Sequence, residues 1–138
     1  MAIVPFKVNA EKDLSFLKDG IVDMLSSRLY WEDRVNIINR QATEKAAAAV
    51  DGPLNESRAR KLGTQLGADY VLFGSLTVFG NSVSIDAKMV DVSGKKQTLT
   101  FFNQSQGMDQ VIPGINLFAS DINEKEFGRV METRRVAP

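Results

Sequence analysis

The residue types that most often carry chemistry are missing from this chain. It has no cysteine and no histidine, which removes thiol nucleophiles, disulfides, Cys/His zinc sites and the usual proton shuttle. Carboxylates are left for acid–base work, and the pair closest to a unit is Asp86 and Asp91. Five residues apart on one predicted strand, they point to opposite faces, so they read as a solvated strand residue and a turn-forming aspartate. Gly63, Gly67 and Gly74 look at first like a phosphate loop. In such a loop a strand precedes the glycines and a helix follows; here the helix precedes and the strand follows. No segment has the acidic spacing of an EF-hand. The sequence predicts no catalytic residue, no metal site and no cofactor.

The remaining candidates are contact residues. Asn9 and Arg40 end two predicted parallel strands, where clefts open in sheets of this type, and would border a small-ligand cleft. The competing reading of Arg40 is a helix-flanking residue with a local carboxylate partner. Tyr30 and Trp31 at the end of the first helix, and Thr100 and Phe102 in the last strand, are candidates for protein contact. If Leu99 and Phe101 face the core, Phe102 points the other way, as interface aromatics do, unless a helix covers it. Residues 97–106 end a meander and are the candidate edge of the sheet, open to a strand from a partner or a second copy.

These residues have to be positioned by a chain of 138 residues, near the modal size of one domain. Lys plus Arg and Asp plus Glu both total 17, so no global field draws in nucleic acid or anionic lipid. No apolar run approaches the roughly 20 residues that cross a bilayer as a helix. The organising stretch is 62–79, LGTQLGADYVLFGSLTVF: a helix end, Gly67 as its C-terminal stop, then a strand apolar on both faces that needs cover on both. Before it come a first strand at 2–8 in which Pro5 leaves one backbone position without a ladder partner, a helix from Leu14 with Ile21, Leu25 and Leu29 on one face, a short second strand at 35–38, and two helices separated by Asp51-Gly52-Pro53. Gly20 in the first helix reads as a site of close helix-on-sheet packing. After it come Gly80-Asn81 as a tight turn, an alternating strand with Val83, Ile85, Ala87 and Met89 on one face, a turn at 91–95, a last strand, and a helix with Val111, Ile115, Phe118 and Ile122 on one face and Pro113 in its first turn. The expected architecture is α/β, a five-stranded mixed sheet in the order β-α-β-α-α-β-β-β-α with helices packed on it. Residues 1–128 form one domain, and 129–138 form a frayed tail or a linker to a further region.

The opening Ala-Ile-Val-Pro-Phe, the helix with Leu17-Lys18-Asp19-Gly20-Ile21, the run from Leu66 to Ser75 and the later Val90-Asp91-Val92-Ser93-Gly94 resemble the amino-terminal domain family of the periplasmic protein TolB. The same stretches are similar to a wider group that includes CsgG, FlgO and LpoB. The resemblance runs from about Ala2 to about Phe127 and rests on strand cores and turns, which are specific for fold rather than for chemistry. It implies an exported, non-catalytic domain of the bacterial cell envelope or periplasm, taken from a larger protein, lipoprotein-associated, and acting on other envelope proteins or on itself. The chain lacks the long apolar hairpins with which CsgG could line a membrane barrel.

Overall fold

In a computed structural model of the chain, which describes residues 1–129, β3 (Tyr70–Phe79) is the central strand, with Val71, Leu72 and Leu76 fully buried. Its antiparallel neighbour is β4 (Ser82–Asp91), reached through a turn with Gly80 at φ +60°; β4 then pairs with β5 (Leu99–Gln106). On its other side β3 pairs in parallel with two short strands, β1 (Ala2–Ile3) and β2 (Lys7–Asn9). The register shows why the first strand is split. Ile3 lies opposite Leu72 and Lys7 opposite Ser75, so four residues of one strand span three of the other. The extra residue is a bulge around Pro5, which has no N–H to give a ladder.

The fifth strand is therefore β2, and not the strand expected at 35–38. Among the described residues that segment is no strand: Val35 bonds back to Trp31 in an isolated bridge, and only Asn36 and Ile38 reach β1, both through Met1. The place beside β3 is already held by the two halves of the first strand. The observed order is two strands, three helices, three strands and a helix. The architecture remains a five-stranded mixed sheet with four helices packed on it.

Helices α1 (Phe16–Leu29) and α4 (Val111–Lys125) cover one face of the sheet. Ile21, Leu25 and Leu29 from α1, and Val111, Ile115, Phe118 and Ile122 from α4, meet Leu72, Leu76, Ile85 and Met89 in the main core. Pro113 sits in the first turn of α4, where its missing N–H costs no helical bond. Helices α2 (Arg40–Ala48) and α3 (Glu56–Leu66) cover part of the opposite face, where Ala59 and Leu62 pack on Ala2, Val4, Val71 and Val90. Asn39 and Asn55 cap these helices by accepting the N–H of Ala42 and Arg58. Gly67 ends α3 in the left-handed region at φ +67°. After α4, Phe127 meets Tyr70 edge-on, and Arg129 is held by a hydrogen bond to the carbonyl of Asn123; residues 130–138, the rest of the expected tail, lie outside the described residues.

Candidate functional site: an open strand edge beside a groove

Helices α2 and α3 cover only one end of their face. Alternation along the strands places Lys7, Ser75, Asp86 and Phe102 in one row across that face, with Asn9, Thr77, Ser84 and Gln104 in the next. These rows lie beyond the two helices. Phe102 is 59% exposed and Phe79, at the far end of β3, is 76% exposed. No helix covers Phe102. Its neighbour Phe101 points the other way and stacks on Phe118, with ring centroids 5.1 Å apart.

β5 pairs with β4 alone, so it is an edge strand among the described residues. Which of its backbone groups are free follows from the ladder. The N–H of Gly107 donates to the carbonyl of Asn81, and antiparallel pairs alternate, so Leu99, Phe101, Asn103 and Ser105 bond inward to β4. The N–H and C=O groups of Thr100, Phe102, Gln104 and Gln106 point out from the sheet. The same four residues carry the side chains on the open face. The opposite edge is made by β1 and β2, two and three residues long, with Pro5 between them and Lys7 on β2, the usual devices that blunt an edge. β5 has eight residues without a proline or a charge.

Where the open rows meet the end of α3, the sheet and the 52–55 loop enclose a groove of about 660 Å³. Val4, Pro53, Leu54 and Phe73 give it apolar walls, Lys88 and Asp86 lie on its floor, and Thr100 forms its border at the free edge. The groove was not legible beforehand: Asp51-Gly52-Pro53 signalled the end of a helix and gave no sign of what the loop would face.

Asn9 and Arg40 do not border this groove, and each is engaged elsewhere. The Asn9 side chain donates to the Thr77 hydroxyl. The guanidinium of Arg40 bonds Asp19 at 3.0 Å and Asp23 at 2.8 Å, both on α1, and lies 3.5 Å from Glu44 on its own helix. Arg40 thus ties α2 to α1. Trp31 is half-buried between two guanidinium groups, Arg34 at 4.8 Å and Arg129 at 5.1 Å from the ring centre, while Tyr30 is 49% exposed and its carbonyl accepts from Arg129. Asp86 and Asp91 fall on opposite faces as their spacing requires. Hydrogen bonds specialise Asp91: although burial opposes it, the Ser93 hydroxyl and the N–H groups of Lys96, Ser93 and Lys95 hold its carboxyl below the usual range.

TolB from Acinetobacter baumannii superposes on 92% of this chain with a TM-score of 0.58 at 18% identity, the match covering 28% of TolB. The fold is that of the TolB amino-terminal and LpoB domains. The LpoB C-terminal domain from Salmonella enterica matches 76% of this chain and 81% of its own length, with a TM-score of 0.54 at 15% identity. Lipoprotein GNA1162 from Neisseria meningitidis matches 91% and 95%, with a TM-score of 0.53 at 19% identity. In sequence, 45 residues are 40% identical to the outer membrane protein assembly factor BamA of Nitratidesulfovibrio vulgaris, a match spanning 33% of this chain and 6% of that protein. No family model matches the chain. The chain thus resembles domains of bacterial cell-envelope proteins. No helix among its described residues is long and apolar enough to cross a membrane.

Proposed function

We propose that this chain is a non-catalytic interaction and assembly domain of the bacterial cell envelope, working in the periplasm as part of a larger exported protein. The observation that carries the reading is the free edge of β5, whose outward N–H and C=O groups at Thr100, Phe102, Gln104 and Gln106 run beside an exposed aromatic ring. Such an edge is a template for strand addition: the main chain supplies hydrogen bonds and Phe102 supplies the apolar anchor. The half-exposed Tyr30, beside the partly covered Trp31, forms a second and smaller contact patch at the end of α1. The company of TolB, LpoB and BamA supports the compartment.

Thr100→Pro and Phe102→Ala test the edge. The Thr100 N–H is not part of the β4 ladder, so proline removes an outward donor without breaking an internal bond. Phe102→Ala at an exposed position should change stability by no more than about 0.5 kcal/mol. Both variants are expected to keep the melting temperature while losing capture of envelope proteins and self-association. Unchanged binding by both folded variants would reject the edge.

A further inference from the structure

We infer that the strand accepted by β5 is the β5 of a second copy of this chain, the two running antiparallel about a two-fold axis at Phe101. The inference rests on the edge reading above and names its partner. On the open face, β5 carries a knob and borders a hole two residues apart: the exposed ring of Phe102, and the groove whose rim is Thr100. An antiparallel two-fold centred on Phe101 sets Phe102 of each copy opposite Thr100 of the other. Each ring then enters the mouth of the other's groove, towards Lys88 and the wall at Pro53 and Leu54. A patch holding both halves of its own complement is what an isologous interface requires.

The backbone agrees with this register. Thr100 and Phe102 both direct N–H and C=O outward, so the two Thr100–Phe102 pairs are of the type that exchanges both bonds, about four bonds in all. A register shifted by one residue would oppose an outward-facing residue with an inward-facing one and form none. Charge agrees as well. Residues 97–107 carry no charged side chain and the chain has a net charge of zero, so nothing along the edge repels a copy of itself or selects a charged stranger. The β4–β5 register runs without a bulge from Ser82–Gln106 to Met89–Leu99, so no bulge turns the edge away.

The overlap covers Leu99 to Asn103 of each copy with one aromatic plug apiece, less than the roughly 1,200 Å² of a stable interface. The dimer should therefore be weak, appearing in sedimentation between about 10 µM and 1 mM protein. Phe102→Ala and Thr100→Pro should each weaken it at least tenfold with the melting temperature retained. The chain has no cysteine, which allows a direct test of register that leaves both critical residues in place. Thr98 of one copy lies opposite Gln104 of the other, within disulfide reach, whereas the two Thr98 residues are about 20 Å apart. Mixing Thr98→Cys with Gln104→Cys chains under mild oxidation should give a linked dimer, and either alone should not. A folded wild-type chain that stays monomeric at 1 mM overturns the inference, as does a dimer insensitive to both edge variants or a mixture that does not cross-link. The edge reading fails separately: it survives a monomeric chain if Thr100→Pro and Phe102→Ala still abolish capture of envelope proteins, and falls if they do not.

Discussion

At the scale of single residues, the most specialised side chain is Asp91, and it serves the turn between β4 and β5. One carboxylate oxygen accepts from the Ser93 N–H at 3.1 Å and the Ser93 hydroxyl at 2.8 Å; the other accepts from the Lys96 N–H at 2.9 Å. These bonds outweigh the cost of burial and depress the carboxyl pKa. A carboxyl depressed in the folded state stabilises it above the unfolded value, near 3.9, and that stabilisation is lost as pH falls through the folded value. Asp91→Asn keeps one acceptor but turns an amide N–H₂ towards one of the donors. It should cost about 1 kcal/mol at pH 7 in urea unfolding. As pH falls through the depressed folded value the difference should shrink; a loss that does not change with pH would mean that the charge contributes nothing. The positioning matters beyond the turn, because Asp91 fixes where the chain re-enters the sheet as β5 and hence where Thr100 and Phe102 emerge.

At the scale of elements, Gly20 and Gly63, each inside a helix, have opposite roles, and neither follows from sequence. Gly20 in α1 was expected to allow close packing on the sheet, yet a Cβ there would meet nothing within 4 Å. Gly63 in α3 is the true close approach: a Cβ would crowd the methyls of Val92 and lie 2.8 Å from a methyl of Val71. Both valines are β-branched, with Val71 held in β3 and Val92 in the turn directly after β4, so they cannot turn aside cheaply. Gly20→Ala should therefore raise stability by up to about 1 kcal/mol, and Gly63→Ala should lower it by about 1–3 kcal/mol. Thermal unfolding of the two variants settles the assignment; a stabilised Gly63→Ala would remove the case for tight α3–sheet packing. The difference was illegible because both glycines sit in helical patterns, and what they face depends on residues up to 29 positions away in one case and on open solvent in the other. Elements fixed by local rules were legible: Gly67 ends α3, Asn55 begins it, and the alternation of β4 gives its faces. The strand expected at 35–38 was not, because four apolar-rich residues become a strand only against a ladder long enough to hold them, and β1, the strand beside them, is two residues long, so Asn36 and Ile38 bond to Met1 alone.

At the scale of the whole molecule, the sheet is closed on one face and half-open on the other, so the sheet itself can be reached only on the open half or along its edge. Alternation alone placed Phe102 outside, whereas the groove needed residues from β1, β3, β4, β5 and a loop to converge, which no local pattern encodes. Two kinds of occupant are then distinguishable, a polypeptide strand and a small molecule. The groove is large enough for a ligand, within the usual range of about 300–1,000 Å³. Its polar equipment is sparse, however: Lys7, Lys88 and Asp86 stand around apolar walls, and the helix N-terminus beside it, that of α3, follows another helix rather than the strand of a phosphate loop. Among the described residues no three His, Cys, Asp or Glu side chains gather as a metal site would need. ATP, GTP, NAD, calcium and zinc at 1 mM should thus leave the melting temperature unchanged. The measurement is sensitive, since a ligand present at a hundred times its Kd stabilises the native state by about 2.7 kcal/mol, which is several degrees in a domain of this size. A saturable rise with any of the five would favour a small-ligand-binding or sensory domain over an interaction domain. Its loss in Lys88→Ala would then assign the ligand to the groove, and its persistence would send the search to the Asn9 and Arg40 side of the sheet.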